Sequence, residues 1–278
     1  MQHVNPSFNI QAPAIDFETA QLFAEAGPAG VSLAVLGNDQ SFKAVVTYAF
    51  ATGLGDDDLA RNMEVICKTE YLLQQQYSKT HIFWSFTESI VVPAELMNAD
   101  RNANMLNLVF GNARQGIVRS DFLYKHNLYN VYRLPESIAD TFSACLPVAT
   151  QTHLFSTLIN RDMPDGNHLF TVFYSNSVTT MLCKEGKLQM IQNFVYNNAD
   201  DCVFHLLNVC KGFEVQPDST MLHINGMIDE KSGLYAAIYK YFLNIEFDKL
   251  PDGYGYNDEI KNHPPHFFSH LFELASCV

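Results

Sequence analysis

The side chains best suited to chemistry gather near residue 270. His263-Pro264-Pro265-His266-Phe267-Phe268-Ser269-His270 brings three imidazoles together. On a helix, His266 and His270 stand four apart on one face, a spacing from which two ring nitrogens can hold a metal ion. A third ligand is needed, and Glu273 is the nearest donor. No H-E-x-x-H occurs. Phe267, Phe268, Leu271 and Phe272 give the segment the pattern of a packed amphipathic helix. The expectation is therefore a packed C-terminal helix without a metal, with His266 and His270 as the candidates if one binds.

Other groups have simpler readings. Asp201 could bind a cation, but it lies three residues after Asn198 at a helix start, where a carboxylate caps the helix. Gly53-Leu54-Gly55 resembles a phosphate cradle, yet Asp56-Asp57-Asp58 follows and repels phosphate. No G-x-x-x-x-G-K-[ST], G-x-S-x-G elbow or Cys–His signature occurs, so no catalytic residue is assigned. The cysteines at 67, 145, 183, 202, 210 and 277 include no C-x-x-C. That spacing opposes zinc-ribbon and thioredoxin-type sites and suits reduced core cysteines.

Composition narrows the classes further. Of the 278 residues 47% are hydrophobic, enough to fill a proper core, and the length suits two domains. There are 17 Lys+Arg against 30 Asp+Glu, a net charge of −13. Dividing at residue 160 leaves 9 basic and 15 acidic residues before it and 8 and 15 after. The acidity is even, no basic cluster interrupts it, and nucleic-acid binding is not expected. Met1-Gln2-His3-Val4-Asn5-Pro6 has no signal-peptide pattern, and no apolar run approaches the roughly 18–20 residues of a membrane span. The expectation is a cytoplasmic protein without membrane insertion.

Certain elements must position these residues. Residues 1–28 read as polar and mixed. Val31 to Leu36 and Phe42 to Phe50 read as strands joined by Gly37-Asn38-Asp39-Gln40. Leu59, Met63, Ile66 and Leu73 recur at helical steps from Asp56 to about Tyr77. His81 to Phe86, Ser89 to Val92, Met105 to Phe110, Ile117 to Phe122 and Leu128 to Leu134 read as strands, and Glu136 to Phe142 as a helix. Asn160 to Asn167 has linker composition. Beyond it come strands over His168 to Tyr174, Val178 to Lys184 and Leu188 to Tyr196, then a helix from Asn198 to Lys211. A strand at Met221 to Ile228, a helix at Leu234 to Phe242 and a short strand at Ile245 to Phe247 complete an α/β order.

The two halves repeat one plan: strand, tight turn with an Asn (Asn38, Asn176), strand, then an amphipathic helix and an apolar strand. That plan resembles the actin, sugar-kinase and heat-shock-chaperone ATPases. Gln192 to Leu207 resembles the most characteristic segment of an uncharacterised bacterial family with an actin-like ATPase fold and no assigned activity. Ser32-Leu33-Ala34-Val35, Ser89 to Leu96 and Leu222-His223-Ile224-Asn225-Gly226 match it too, in order, from about residue 30 to 250. By fold the family is similar to the actin-like components of type IV pilus assembly. The resemblance implies a duplicated ribonuclease H-like α/β fold. Its two similar domains, residues 1–163 and residues 164–278 with a C-terminal helix, should face a cleft.

The resemblance also implies where a nucleotide would bind. Working members carry an acid and a glycine, as D-x-G, in the first hairpin of each half, and a glycine pair after a later strand of the second half. Here Gly37-Asn38-Asp39-Gln40 has acid and glycine in reversed order. Tyr174-Ser175-Asn176-Ser177 has neither, and Ile224-Asn225-Gly226-Met227 has one glycine. The candidate cleft positions are Asn38, Asp39, Asn176, Asn225 and Gly226. The expectation is a degenerate site with no cofactor, in a non-catalytic protein that binds an unknown protein partner. The alternatives are a nucleotide-binding ATPase or kinase with atypical ligands, and a metal enzyme built on the histidines. Oligomeric state is not readable from these residues.

Overall fold

Val, Leu, Phe and Ala dominate the three strands that found the first half of the chain. The computed structural model describes residues 4–111 and 116–277. In it, β1 (Phe8–Gln11) precedes a meander of β2 (Gln21–Gly27), β3 (Gly30–Leu36) and β4 (Ser41–Ala49). Helix α1 (Asp56–Thr69) opens on its three aspartates, at the positive end of the helix dipole. Its apolar face, Leu59, Met63 and Ile66, is buried. After α1 come β5 (Lys79–Trp84), β6 (Ser89–Pro93), α2 (Asn102–Phe110), β7 (Ile117–Leu123), β8 (Leu128–Leu134), α3 (Glu136–Cys145), β9 (Thr150–His153) and α4 (Leu154–Ile159). The core between α1, α3 and the main sheet holds Leu22, Ala24, Ile82, Trp84, Ile138 and Phe142. Trp84 and Phe142 meet edge to face at 5.4 Å. A three-stranded sheet, β6-β8-β7, carries α2 on one side.

The second half builds β10 (Asn167–Phe173), β11 (Ser177–Lys184), β12 (Lys187–Val195), α5 (Ala199–Gly212), β13 (Met221–Gly226), α6 (Gly233–Ile238) and β14 (Asn244–Phe247). Asn198 caps α5 by accepting the Asp201 N–H at 2.9 Å, and the Asp201 carboxylate accepts the Asn197 N–H at 3.1 Å. Cys202, Leu206, Val209 and Cys210 then bury the helix against β10, β11 and β13. Finally β15 (Gly255–Tyr256) pairs with β4, and α7 (Asp258–Lys261) and α8 (Ser269–Glu273) follow.

Contacts divide the chain into two units. One runs to Arg161 and takes in Tyr254–Asn257; the other holds Asp162–Gly253 and the residues from Asp258 onward. The first contains a sheet ordered β1-β4-β3-β2-β5-β9, the second a sheet ordered β12-β11-β10-β13-β14. From β4 to β9 the two orders coincide, and so do the senses of pairing. Each meander is antiparallel, and the two later strands add in parallel. Thus β2 corresponds to β10, β5 to β13 and α1 to α5. Among the described residues no helix is long and apolar enough to cross a membrane.

Two segments differ from the sequence reading. Met105 to Phe110 lies in α2 and not in a strand. The turn of helix over Ala99–Arg101 leads into it and Gly111, at φ 80°, ends it. Residues 21–27, read as part of a polar lead, form β2, whose residues from Leu22 onward are all buried.

Candidate functional site

In an open α/β sheet the binding crevice lies outside the carboxyl ends of the strands, where the strand order reverses. In the second unit that point falls between β10 and β13. Their register runs His168↔Met221 to Phe173↔Gly226, so Phe173 and Gly226 end the two strands side by side. Gly226 has φ 86°, and a Cβ on it would stand 2.1 Å from the Phe173 carbonyl oxygen. Only glycine allows this approach.

The crevice beyond these strand ends is occupied by the chain itself. Asn225, 2% exposed, accepts the His270 backbone N–H at 3.1 Å and donates to Asp248 at 2.8 Å. His266 donates from Nε2 to the Ile228 carbonyl at 2.8 Å and packs against the Phe247 ring at 4.5 Å. Burial holds the His266 imidazole below its usual pKa. The Tyr174 ring, just past β10, meets His270 edge to face at 6.0 Å. Helix α8 and the turn of helix over Pro265–Phe267 are thereby seated across the strand ends. Asn176 lies in the β10–β11 turn, where its carbonyl accepts the Tyr196 N–H at 3.0 Å. That turn carries no carboxylate, glycine, lysine or arginine.

In the first unit the corresponding point lies between β2 and β5, and the sheet order corrects the pairing of hairpins made from sequence. The counterpart of the β10–β11 turn is the β2–β3 turn at Pro28-Ala29, not the Asn38 turn. The Asn38–Asp39 turn corresponds instead to Glu185-Gly186. The register Gln21↔Leu36 puts Asn38 and Asp39 beyond the amino end of β2, about 20 Å along the strand from Gly27. There Asp39 bonds the Ser41 N–H at 3.1 Å and pairs with Lys43 at 2.5 Å, and the lysine holds its carboxyl below the usual range. The residues at the carboxyl end are Glu25-Ala26-Gly27, an acid two places before a glycine. Glu25 is 3% exposed, and a Cβ on Gly27 would stand 2.2 Å from Ser85 Oγ. The signal for this pair was the Gly27-Pro28-Ala29-Gly30 turn between two apolar runs.

His266 and His270 bond to different partners, and among the described residues no three His, Cys, Asp or Glu side chains are grouped to hold a metal ion. Gly53 and Gly55 lead into α1, whose N-cap makes no side-chain hydrogen bond.

The geometry has relatives. A crystal structure of a Bacteroides thetaiotaomicron protein with an actin-like ATPase fold and unknown function matches with a TM-score of 0.76. Its identity is 17%, over 95% of this chain and 100% of that one. A chain of the PilM–PilN type IV pilus biogenesis complex matches with a TM-score of 0.62 and 13% identity, over 93% of this chain and 98% of its own. At such identities the likeness shows the fold alone: a two-domain actin-like ATPase fold. No curated protein matches the chain in sequence. Residues 14–245 match the family described as a protein of unknown function, DUF3822. With that match spanning most of its length, the chain belongs to the DUF3822 family.

Proposed function

We propose that this protein is a non-catalytic member of the actin-like fold that works in the cytoplasm by binding another protein, with its nucleotide crevice degenerate. One observation carries the reading: α8 and the Pro265–Phe267 turn are bonded to Asn225 and Ile228 across the carboxyl ends of β10 and β13. A nucleotide would have to displace them. The β10–β11 turn also offers no charge to compensate a metal-bound triphosphate. The six cysteines are all free, as a reducing compartment favours. A fold-mate found in a two-protein pilus complex supports a role in assembly.

Thermal melts with millimolar Mg·ATP test the reading. A ligand at 100 times its dissociation constant stabilises a protein by about 2.7 kcal/mol. No shift is expected. A reproducible rise would overturn the degenerate crevice in favour of an atypical nucleotide-binding protein. That second reading has one observation in its favour, Glu25-Ala26-Gly27 at the carboxyl end of β2, and a rise abolished by Glu25→Gln would assign it there.

A further inference from the structure

The strand β12 ends the sheet of the second unit and pairs only with β11. Hydrogen bonds show which of its backbone groups are left over. Tyr196 donates its N–H to the Asn176 carbonyl at 3.0 Å, toward β11, and the Ser177 carbonyl accepts from Tyr174 at 2.8 Å, toward β10. Backbone groups alternate in direction along an antiparallel ladder. Met190, Gln192 and Phe194 therefore face β11, and Ile191, Asn193 and Val195 turn their N–H and C=O outward. Among the described residues no hydrogen bond reaches those outward groups. The register shift at Leu182/Cys183 leaves Gln189 without an opposite residue, so the regular stretch is residues 190–195. The side chains along this edge are apolar or amide: from Leu188 to Val195 none is charged, in a chain of net charge −13. Val195 is 56% exposed. Beside the edge, the Phe194 ring stacks on His205 at 4.9 Å, and His205 meets Phe204, itself 62% exposed.

We propose that two copies of this chain dimerise by pairing their β12 strands antiparallel about a two-fold axis at Asn193, which joins the two five-stranded sheets into one. An open, uncharged edge is a template for another strand, and a two-fold contact must be complementary to itself. This edge is. With Asn193 opposite Asn193 of the second copy, Ile191 falls opposite Val195, and every outward N–H and C=O of residues 191, 193 and 195 finds a partner across the axis. Placing the axis at Gln192 would set Val195 against the bulged Gln189, and placing it at Phe194 would carry Ile191 past the end of the strand. In the favoured register the exposed Val195 is covered by Ile191 of the second copy. Lys187, the one charge on β12, comes toward Asp200 and Asp201 at the start of α5 in the second copy, so the charges at the ends of the ladder are of opposite sign. This dimer does not depend on the state of the crevice.

Sedimentation velocity on the full chain tests it. The wild type should sediment at twice the monomer mass. Val195→Lys, a change at an exposed position, should be monomeric with an unchanged circular dichroism spectrum. Asn193→Pro removes the outward N–H on the axis, leaves the bonds to β11 in place and should also be monomeric. The register is read by cross-linking in a Cys277→Ser background. Asn193→Cys should form a disulfide between copies on mild oxidation, because opposite Cα atoms of a bonded pair lie about 5.5 Å apart. Val195→Cys lies about 13 Å along the ladder from its own copy and should not. A wild-type chain that is monomeric at about 100 μM overturns the dimer. So does a dimer that survives Val195→Lys, or a Val195→Cys chain that cross-links more readily than Asn193→Cys.

Discussion

The backbone N–H of His270 and its ring Nδ1 both lie 3.1 Å from the side-chain oxygen of Asn225. One amide on the last residue but one of β13 thus holds the start of α8, while its own nitrogen donates to Asp248. Asn225 and His270 are both buried, where a hydrogen bond lost is a group left unsatisfied. Asn225→Ala is expected to destabilise the protein by about 2–4 kcal/mol. Urea unfolding measures it; a loss below about 1 kcal/mol would mean that the seat of α8 rests on apolar packing alone.

The glycines at the two crevices should differ in tolerance. At Gly226 a methyl group meets the Phe173 backbone and the residue sits at positive φ. Gly226→Ala is expected to cost about 3–5 kcal/mol. At Gly27 the nearest obstacle is the Ser85 hydroxyl, which can rotate away, although the Ser85 carbonyl oxygen stands at 3.0 Å. Gly27→Ala is expected to cost about 1–2 kcal/mol. Equal midpoints for the two variants in chemical denaturation would contradict this account.

Stability should fall with acid, chiefly through His153. The ring is fully buried; Nδ1 accepts the Phe155 N–H at 3.1 Å and Nε2 donates to the Phe86 carbonyl at 2.9 Å, so both nitrogens are committed to the neutral form. Burial lowers its pKa to about 4. The unfolded chain takes up this proton at about pH 6.5, whereas the folded chain refuses it until lower pH. The stabilisation is therefore whole above about pH 6.5 and is lost as pH falls toward about 4, by about 3 kcal/mol. His81 and His266, lowered by burial, act in the same direction. Asp121, raised by burial, acts the opposite way at lower pH, because the folded carboxyl takes up its proton first. Denaturant midpoints at about pH 7.5 and about pH 5 check the sign; a protein no less stable at the lower value would refute it.

A buried ion pair holds the small sheet to its helix. Arg133 on β8 donates to Glu88 at 2.9 Å and to the Asn107 side chain on α2 at 2.6 Å, with Arg133 4% exposed. Arg133→Met leaves the Glu88 carboxylate buried without this partner and is expected to cost about 3–5 kcal/mol. Adding Glu88→Gln should recover part of the loss. If the double variant is no more stable than the single one, the pair does not account for the cost.

Much of the second unit is legible in the amino-acid sequence. The strands β10, β11 and β12 are separated by Ser175-Asn176 and Glu185-Gly186, residues that turn a chain cheaply. Asn198 and Asp201 announce α5 because a cap is a local event, complete within four residues. The candidate site was harder to read. Asn225 and Gly226 lie at the carboxyl end of β13, whereas Asn38 and Asp39 lie at the other end of the first unit's meander. A hairpin looks the same from sequence whichever hairpin of a meander it is, and only the pairing of β2 with β5 identifies the first one.

The α/β class, the hairpins of the second half and the capped helix that follows them are readable from residue order; the repeat between the halves is readable only with the Asn38 hairpin standing in the place that β2–β3 holds. The hairpins and the capped helix depend on residues within a few places of one another. Tertiary structure alone decided the rest. Gln21–Gly27 contains Glu25 and three small residues and lacks the alternation of a half-buried strand; it becomes β2 because β3 and β5 pair with both of its edges, which places it in the middle of the sheet, where Leu22 to Gly27 are all buried. Met105 to Phe110 is apolar at every place but Asn107 and so carries no period; its packing on β8 makes it a helix. His266 and His270 sit four apart as metal ligands would, yet Ile228 and Asn225, some forty residues away, hold them. Their role was set by which backbone and side-chain groups the fold brings to the ends of β10 and β13, and no local pattern encodes that.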